Sequence, residues 1–335
     1  SVRDLIVKDD DIAVGTHGRG FWILDDITAL RQWSDKAADD AATLFKPATA
    51  TRVRYSMYSD TPVPPDEPYA ENPPDGAIID YHLKSDLNGP ATLEILTAAG
   101  RVIRKFSSTD AAEPVKDQGN WPYYWFRPPQ VLSTRAGLQR YVWDLHYAPP
   151  PGAGCSLPIS ATPHNTKCEP EGPWVSPGQY TAKLTVGGAS YTQAFTVRMD
   201  PRVKTPLASL QQQFTLSLAL YDAQFESVAK AAEARGLRAQ LADRKTKAGA
   251  VVPQIDALDK KLEELAGPDQ GGGRGRGAGG VGRGGGGGGG GGGAPAAESF
   301  GSIQGTLSGP FGILQGADAT PTTQLVASAA ERLKA

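Results

Sequence analysis

The spacing of apolar positions divides the chain into a strand-patterned part followed by a helix-patterned part. Near the start, residues 12–15 and 21–24 read as two short strands joined by a turn that contains Gly18 and Gly20, and residues 2–7 supply a third strand. Glycine provides the positive-φ positions such a turn needs. Asp25 and Asp26 stop the second strand, and Asp26 is placed to cap a short helical turn over 27–32. Between 51 and 198 the period stays close to two. Residues 51–58, 77–83, 91–96, 102–106, 139–145, 180–186 and 191–197 are the predicted strands, with Gly187-Gly188 as a tight turn. Such a series of short strands with Pro/Gly-rich joints predicts an immunoglobulin-like or fibronectin-like β-sandwich. Residues 62–74 hold six prolines and read as an irregular loop.

Beyond Asp200-Pro201 the period changes. Thr205-Pro206 is an N-cap and N1 pair, and Leu207, Leu210, Phe214, Leu218, Tyr221, Phe225 and Val228 recur at three and four. Ile255, Leu258, Leu262 and Leu265 make a second stripe, with Pro253 near its start, and the two stripes predict an antiparallel helical hairpin. Residues 270–293 are a glycine tract with Arg274, Arg276 and Arg283, read as a tether. Residues 299–314, and a stripe of Leu325, Val326, Ala329 and Leu333 behind Thr320-Pro321, are expected to complete a small bundle. The domains expected are therefore a partial propeller blade (1–35), a connector (36–50), a β-sandwich (51–200) and a helical region (201–335) interrupted by the glycine tract. The fold class is mainly β with an α-helical tail.

Composition narrows the partners. The chain has 335 residues and a net charge of −2 with signs intermixed, so no bulk field points to nucleic acid. The three arginines of the glycine tract lack the interleaved aromatics of a single-strand binder. No apolar run is long enough to span a membrane. No signal peptide opens the sequence, but the first strands already read as the inside of a blade, so this does not bear on the compartment. Cys155 and Cys168 sit in a loop rich in Pro, Gly, Ser and Thr. A bond between them would close a short loop and stabilise by roughly 3 kcal/mol, and it fits a secreted or periplasmic protein. Two unpaired thiols are the alternative. With His164 alone between them, no metal site is expected, and no cofactor motif occurs.

Candidate chemistry is sparse. His17 and Arg19 lie in the glycine-rich turn, where a ligand contact or a purely structural role is open to them. Trp121, Tyr124 and Trp125 belong to an aromatic run that either stacks on sugar rings or fills the core. Asp25 and Asp26 are adjacent on an extended chain and point to opposite sides, so they do not flank one glycosidic bond. No nucleophile elbow, zinc helix or phosphate loop is present, and no catalytic residue is assigned.

The segment 14–32, VGTHGRGFWILDDITALRQ, resembles the last blade of large bacterial propeller proteins of the sortilin-like or BNR-repeat "glycosyl hydrolase" type. The later phrases NPPDGAIIDY (72–81), YVWDL (141–145) and PGQY (177–180) follow in the order of that family. The resemblance implies a signal peptide and a propeller upstream, and a β-sandwich and helical tail downstream. On that basis the chain is expected to be a non-catalytic C-terminal accessory region that braces the propeller, with glycan or protein as its candidate ligand. Two alternatives are kept. One is part of a glycoside hydrolase whose active site lies in the missing propeller, and the other is a sortilin-like protein-binding receptor.

Overall fold

The computed structural model describes residues 1–55, 72–111, 122–152, 164–167, 171–247, 249–267 and 299–334. They form two compact units, Ser1–Thr205 and Pro206–Ala335.

The first unit opens with a three-stranded antiparallel meander, β1 (Val2–Lys8), β2 (Asp11–Thr16) and β3 (Phe21–Leu24). Gly18 and Gly20 take φ of 81° and 66° in the β2–β3 turn, which Thr16 closes through its amide and hydroxyl, both donating to the Gly20 carbonyl. Successive residues of a strand face opposite sides, and here both sides are open: Phe21 is 86% exposed, Trp22 63% and Ile23 64%. The meander thus carries apolar side chains on two uncovered faces. At its end Asp26 adopts φ 55° and its carboxylate accepts the Thr28 amide at 2.9 Å, which launches α1 (Thr28–Arg31). The left-handed backbone at Asp26 departs from the extended geometry expected there.

Residues 36–50, expected as a plain connector, contain structure. Ser34 caps α2 (Asp35–Asp39) by accepting the Ala37 amide, and β4 (Ala42–Leu44) follows. Both elements are too short to show a period, so tertiary contacts define them. Trp33 meets Phe45 at 5.9 Å and His82 at 4.9 Å between ring centroids, which covers the outer face of β6 (Ala77–Leu83). That cover explains why β6 is buried on both sides, down to Asp80 and His82.

Two sheets make the body. One has the order β5 (Ala50–Arg52), β11 (Ala189–Met199), β10 (Gly178–Val186), β7 (Ala91–Thr97), β8 (Val102–Ser107); the other has the order β4, β6, β9 (Gly137–Trp143). All pairs are antiparallel except β5 with β11, which runs parallel from Ala50↔Val197 to Arg52↔Met199. Six expected strands appear as β6 to β11, with ends shifted by at most two residues. Of the expected strand 51–58, residues 51 and 52 belong to β5, residues 53–55 are not in a strand, and residues 56–71 lie outside the described residues. Alternation places Leu93, Ile95, Ala182, Leu184, Phe195 and Val197 inward from one sheet, and Ile79, Tyr81 and Trp143 from the other. Rings bridge the two: Trp143 lies 5.8 Å from Tyr180 and 6.2 Å from Phe195, and Phe106 lies 4.6 Å from Tyr141. Each fully buried Leu or Ile contributes about 1.5–3 kcal/mol by leaving water.

The second unit is helical: α3 (Leu207–Lys245), α4 (Val252–Ala266), α5 (Phe300–Gln315) and α6 (Thr323–Arg332). Pro206 occupies the N-cap of α3 rather than its first turn, and Thr322, not Thr320, caps α6 by accepting the Leu325 amide. The face of α3 that is most buried differs from the expected stripe. It carries Leu210, Gln213, Ser217, Leu220, Tyr221, Gln224, Ser227, Ala231 and Ala234, whereas Leu207 is 68% and Phe225 40% exposed. The reason is a polar seam against α5. Gln213 donates to the Leu314 and Ala317 carbonyls at the end of α5, Gln315 donates to Ser217, and Ser308 donates to Gln224. Leu307, Phe311 and Leu314 of α5 are buried beside it, with Phe311 stacked on Tyr221. The α3–α4 hairpin is tied at the rim by Arg238 to Asp259 and Glu263, and by Lys245 to Asp256. Residues 268–298, which include the glycine tract, lie outside the described residues. Among the described residues, no helix is long and apolar enough to cross a membrane.

Candidate functional site

A group of ionisable side chains lies where β9 ends. Leu145 turns the chain with φ 60°, so Asp144 and His146 leave the strand register. The indole of Trp143 donates to the His146 carbonyl at 3.0 Å, and the His146 amide donates to the Asp144 carboxylate at 3.2 Å. His146 forms an isolated bridge with Trp174, and its ring packs on the Trp174 indole at 3.8 Å between centroids. Only 2% of His146 is exposed.

This burial, together with the Lys167 charge, pushes the His146 pKa well below the usual imidazole range, so the ring is neutral at ordinary pH. Its Nδ1 lies 2.8 Å from the Asp144 carbonyl oxygen. A carbonyl only accepts, so Nδ1 carries the proton and Nε2 presents a lone pair. That lone pair faces Glu171, whose Oε2 is 3.5 Å away. Burial raises the Glu171 pKa, and Lys167 opposes the rise. Lys167 Nζ lies 3.3 Å from Glu171 and 3.0 Å from Asp75, and Arg127 reaches the same Asp75 at 3.0 Å. Arg127 also donates from Nε to Asn165 at 2.9 Å. The Arg52 and Arg54 guanidiniums sit 5.6 and 5.2 Å from the Trp174 centroid, so the indole is surrounded by cations.

Two glycines fix the backbone around this group. A Cβ on Gly76, next to Asp75, would lie 2.0 Å from the Trp143 carbonyl oxygen, and one on Gly172, next to Glu171, would lie 2.2 Å from that of Ala148. Side-chain atoms of Asp144, His146 and Glu171 fall within 4.8 Å of one another. A neutral imidazole with two carboxylates can share a proton or ligate a metal ion.

The residues singled out from sequence are not among the ionisable ones just named. His17 and Arg19 are exposed in the β2–β3 turn, where the Arg19 carbonyl accepts the Trp22 indole at 3.1 Å. Tyr124 and Trp125 are half-buried in a short 3-10 turn, Tyr123–Trp125, with their rings at 83° to each other. Trp121, Cys155 and Cys168 lie outside the described residues. The Tyr124 and Trp125 carbonyls accept the His164 and Thr166 amides, so this turn runs beside the segment that carries Asn165 and Lys167.

No known relative decides the matter. No protein-family model matches the chain, and no curated protein and no solved structure matches it. The case for function rests on geometry. The ionic group left little trace in sequence, because β9 ends at Trp143 and the left-handed turn at Leu145 takes Asp144 and His146 out of the strand alternation. Glu171 and Asp75 also come from distant segments.

Proposed function

We propose that this chain is the non-catalytic C-terminal accessory region of a secreted or periplasmic propeller protein. In this reading β1–β3 belong to the final blade, and the two-sheet body, as an immunoglobulin-like or fibronectin-like sandwich, braces it. The observation that carries the reading is the meander with Val2, Leu5, Ile6, Val7, Phe21, Trp22, Ile23 and Leu24 all exposed. A sheet with apolar residues on both faces is what a blade flanked by other blades requires. The resemblance of residues 14–32 to a last blade supports the same assignment. The experiment compares Trp22 in this chain with Trp22 in a longer polypeptide that includes the upstream propeller. Acrylamide quenching of its fluorescence should drop sharply in the longer form. Equal quenching in both would refute the blade assignment.

For the ligand of this region, protein contact is the better-supported reading than glycan. Tyr124 and Trp125 are half-buried with perpendicular rings, which do not make the flat platform that stacks on sugar. On α4, Leu258 and Leu265 are seven positions apart, share one face and are each 47% exposed. Polysaccharide binding that disappears in Trp125→Ala would overturn this preference. A glycoside hydrolase activity, in the alternative reading, would belong to the propeller and not to the residues described here.

A further inference from the structure

We propose that Asp144, His146 and Glu171 form a binding site for one divalent transition-metal ion of the Zn²⁺ class. The inference is independent of the blade assignment and starts from His146. It is 2% exposed, and its Nδ1–H is committed to the Asp144 carbonyl. That backbone bond fixes the ring and leaves Nε2 as an acceptor, the arrangement in which protein histidines hold metals. Among the described residues no donor reaches Nε2 within hydrogen-bond distance. What it meets at 3.5 Å is another acceptor, the Glu171 carboxylate.

Two acceptors facing each other in a buried place repel unless a cation lies between them. The spacing suits one: tetrahedral coordination with bonds of about 2.1 Å sets neighbouring ligand atoms about 3.4 Å apart. The Asp144 carboxylate, within 4.8 Å of both, is in reach as a third ligand after a small rotation. One imidazole and two carboxylates offer ligand atoms of the nitrogen and oxygen types that zinc takes, and the nitrogen disfavours Mg²⁺ and Ca²⁺.

Lys167 is the competitor, since its ammonium lies 3.3 Å from Glu171. It holds a second partner, Asp75, at 3.0 Å, so it keeps one ion pair when Glu171 turns to the metal. Its charge lowers the affinity of the site without closing it. A proton shared between Glu171 and His146 is the rival explanation of the same spacing, and the test separates the two.

Tag-free protein is stripped with chelator and titrated with Co²⁺, a spectroscopic stand-in for Zn²⁺, with metal content measured after dialysis. The expected result is about one ion per chain, visible bands of tetrahedral intensity, and competition by Zn²⁺. Glu171→Gln and Asp144→Asn, which keep size and shape, should each weaken binding by about tenfold or more while circular dichroism stays unchanged. His17→Asn should leave binding intact. Absence of binding in the wild-type chain would leave the shared proton as the explanation. Binding that survives both carboxylate changes, or that shows a thiolate charge-transfer band from Cys155 or Cys168, would also overturn the site.

Discussion

Arg140 on β9 grips Asp80 on β6 with two hydrogen bonds of 2.9 Å, Nε to Oδ1 and Nη2 to Oδ2. The same guanidinium reaches the Asp25 and Asp26 carbonyls at 2.7 and 2.6 Å, so one side chain ties the end of the meander to the body. Asp80 is 5% exposed and loses its charge partner if Arg140 is removed. Arg140→Met should therefore cost about 3–5 kcal/mol in urea unfolding, since it leaves a buried carboxylate unpaired. Hydrogen exchange should rise at residues 24–31. A loss below about 1 kcal/mol would place the pair with ordinary surface bridges.

Gly76→Ala should prevent the body from folding normally. The added methyl would sit 2.0 Å from the Trp143 carbonyl oxygen, and φ of 141° already disfavours any side chain. Gly100→Ala is the control, because nothing lies within 4 Å of its Cβ and the strain of φ 81° acts alone. Thermal melts of the two variants should separate clearly, with Gly76→Ala far lower. Equal melts would mean that the close approach at Gly76 is not maintained.

In the helical unit, Leu220→Ala should cost about 2–5 kcal/mol, because Leu220 is fully buried. Leu207→Ala, at an exposed position, should fall within about 0.5 kcal/mol of wild type. Gln213→Leu should lose about 1–3 kcal/mol by stranding the Leu314 and Ala317 carbonyls. Chemical denaturation followed by helical circular dichroism measures all three. If Gln213→Leu proves neutral, the polar seam does not hold α5 on α3.

Alkali should unfold the body. Burial pushes the Tyr81 phenol from 10.0 up to about 12, and burial raises Tyr141 and Tyr180 as well. The unfolded chain loses these protons first, so stability is fully present below about pH 10 and falls as pH climbs toward the folded values. Phenolate absorbance in Tyr81→Phe should lose a late-titrating component, and the alkaline loss of stability should become shallower. An unchanged titration would show that Tyr81 ionises as freely as an exposed tyrosine.

Strands β7 and β10 were legible because one face of each is buried, so Leu93, Ile95, Ala182 and Leu184 recur at alternate positions. Alternation is written locally and survives without knowledge of partners. The three-residue β4 and the short α2 left no such trace, since packing of Trp33 and Phe45 around β6 defines them. The buried face of α3 was misjudged for a different reason. Gln213, Ser217, Gln224 and Ser227 look like solvent-facing residues until α5 supplies partners. The ionic group was the least legible part. It depends on a left-handed turn at Leu145 that brings Asp144 and His146 to a loop ending at Trp174, and hydrophobic spacing encodes none of that.

The parallel pairing of Ala50–Arg52 with Val197, Arg198 and Met199 has a mechanical consequence. β5 is the first strand of the larger sheet along the chain and β11 the last, lying side by side and running in the same direction. Tension applied between the meander and the helical unit pulls the start of one strand against the end of the other, along their shared axis. The hydrogen bonds of that ladder are then loaded together in shear instead of parting one by one. The larger sheet would act as a latch in the line of force, with β5 and β11 loaded along their length together.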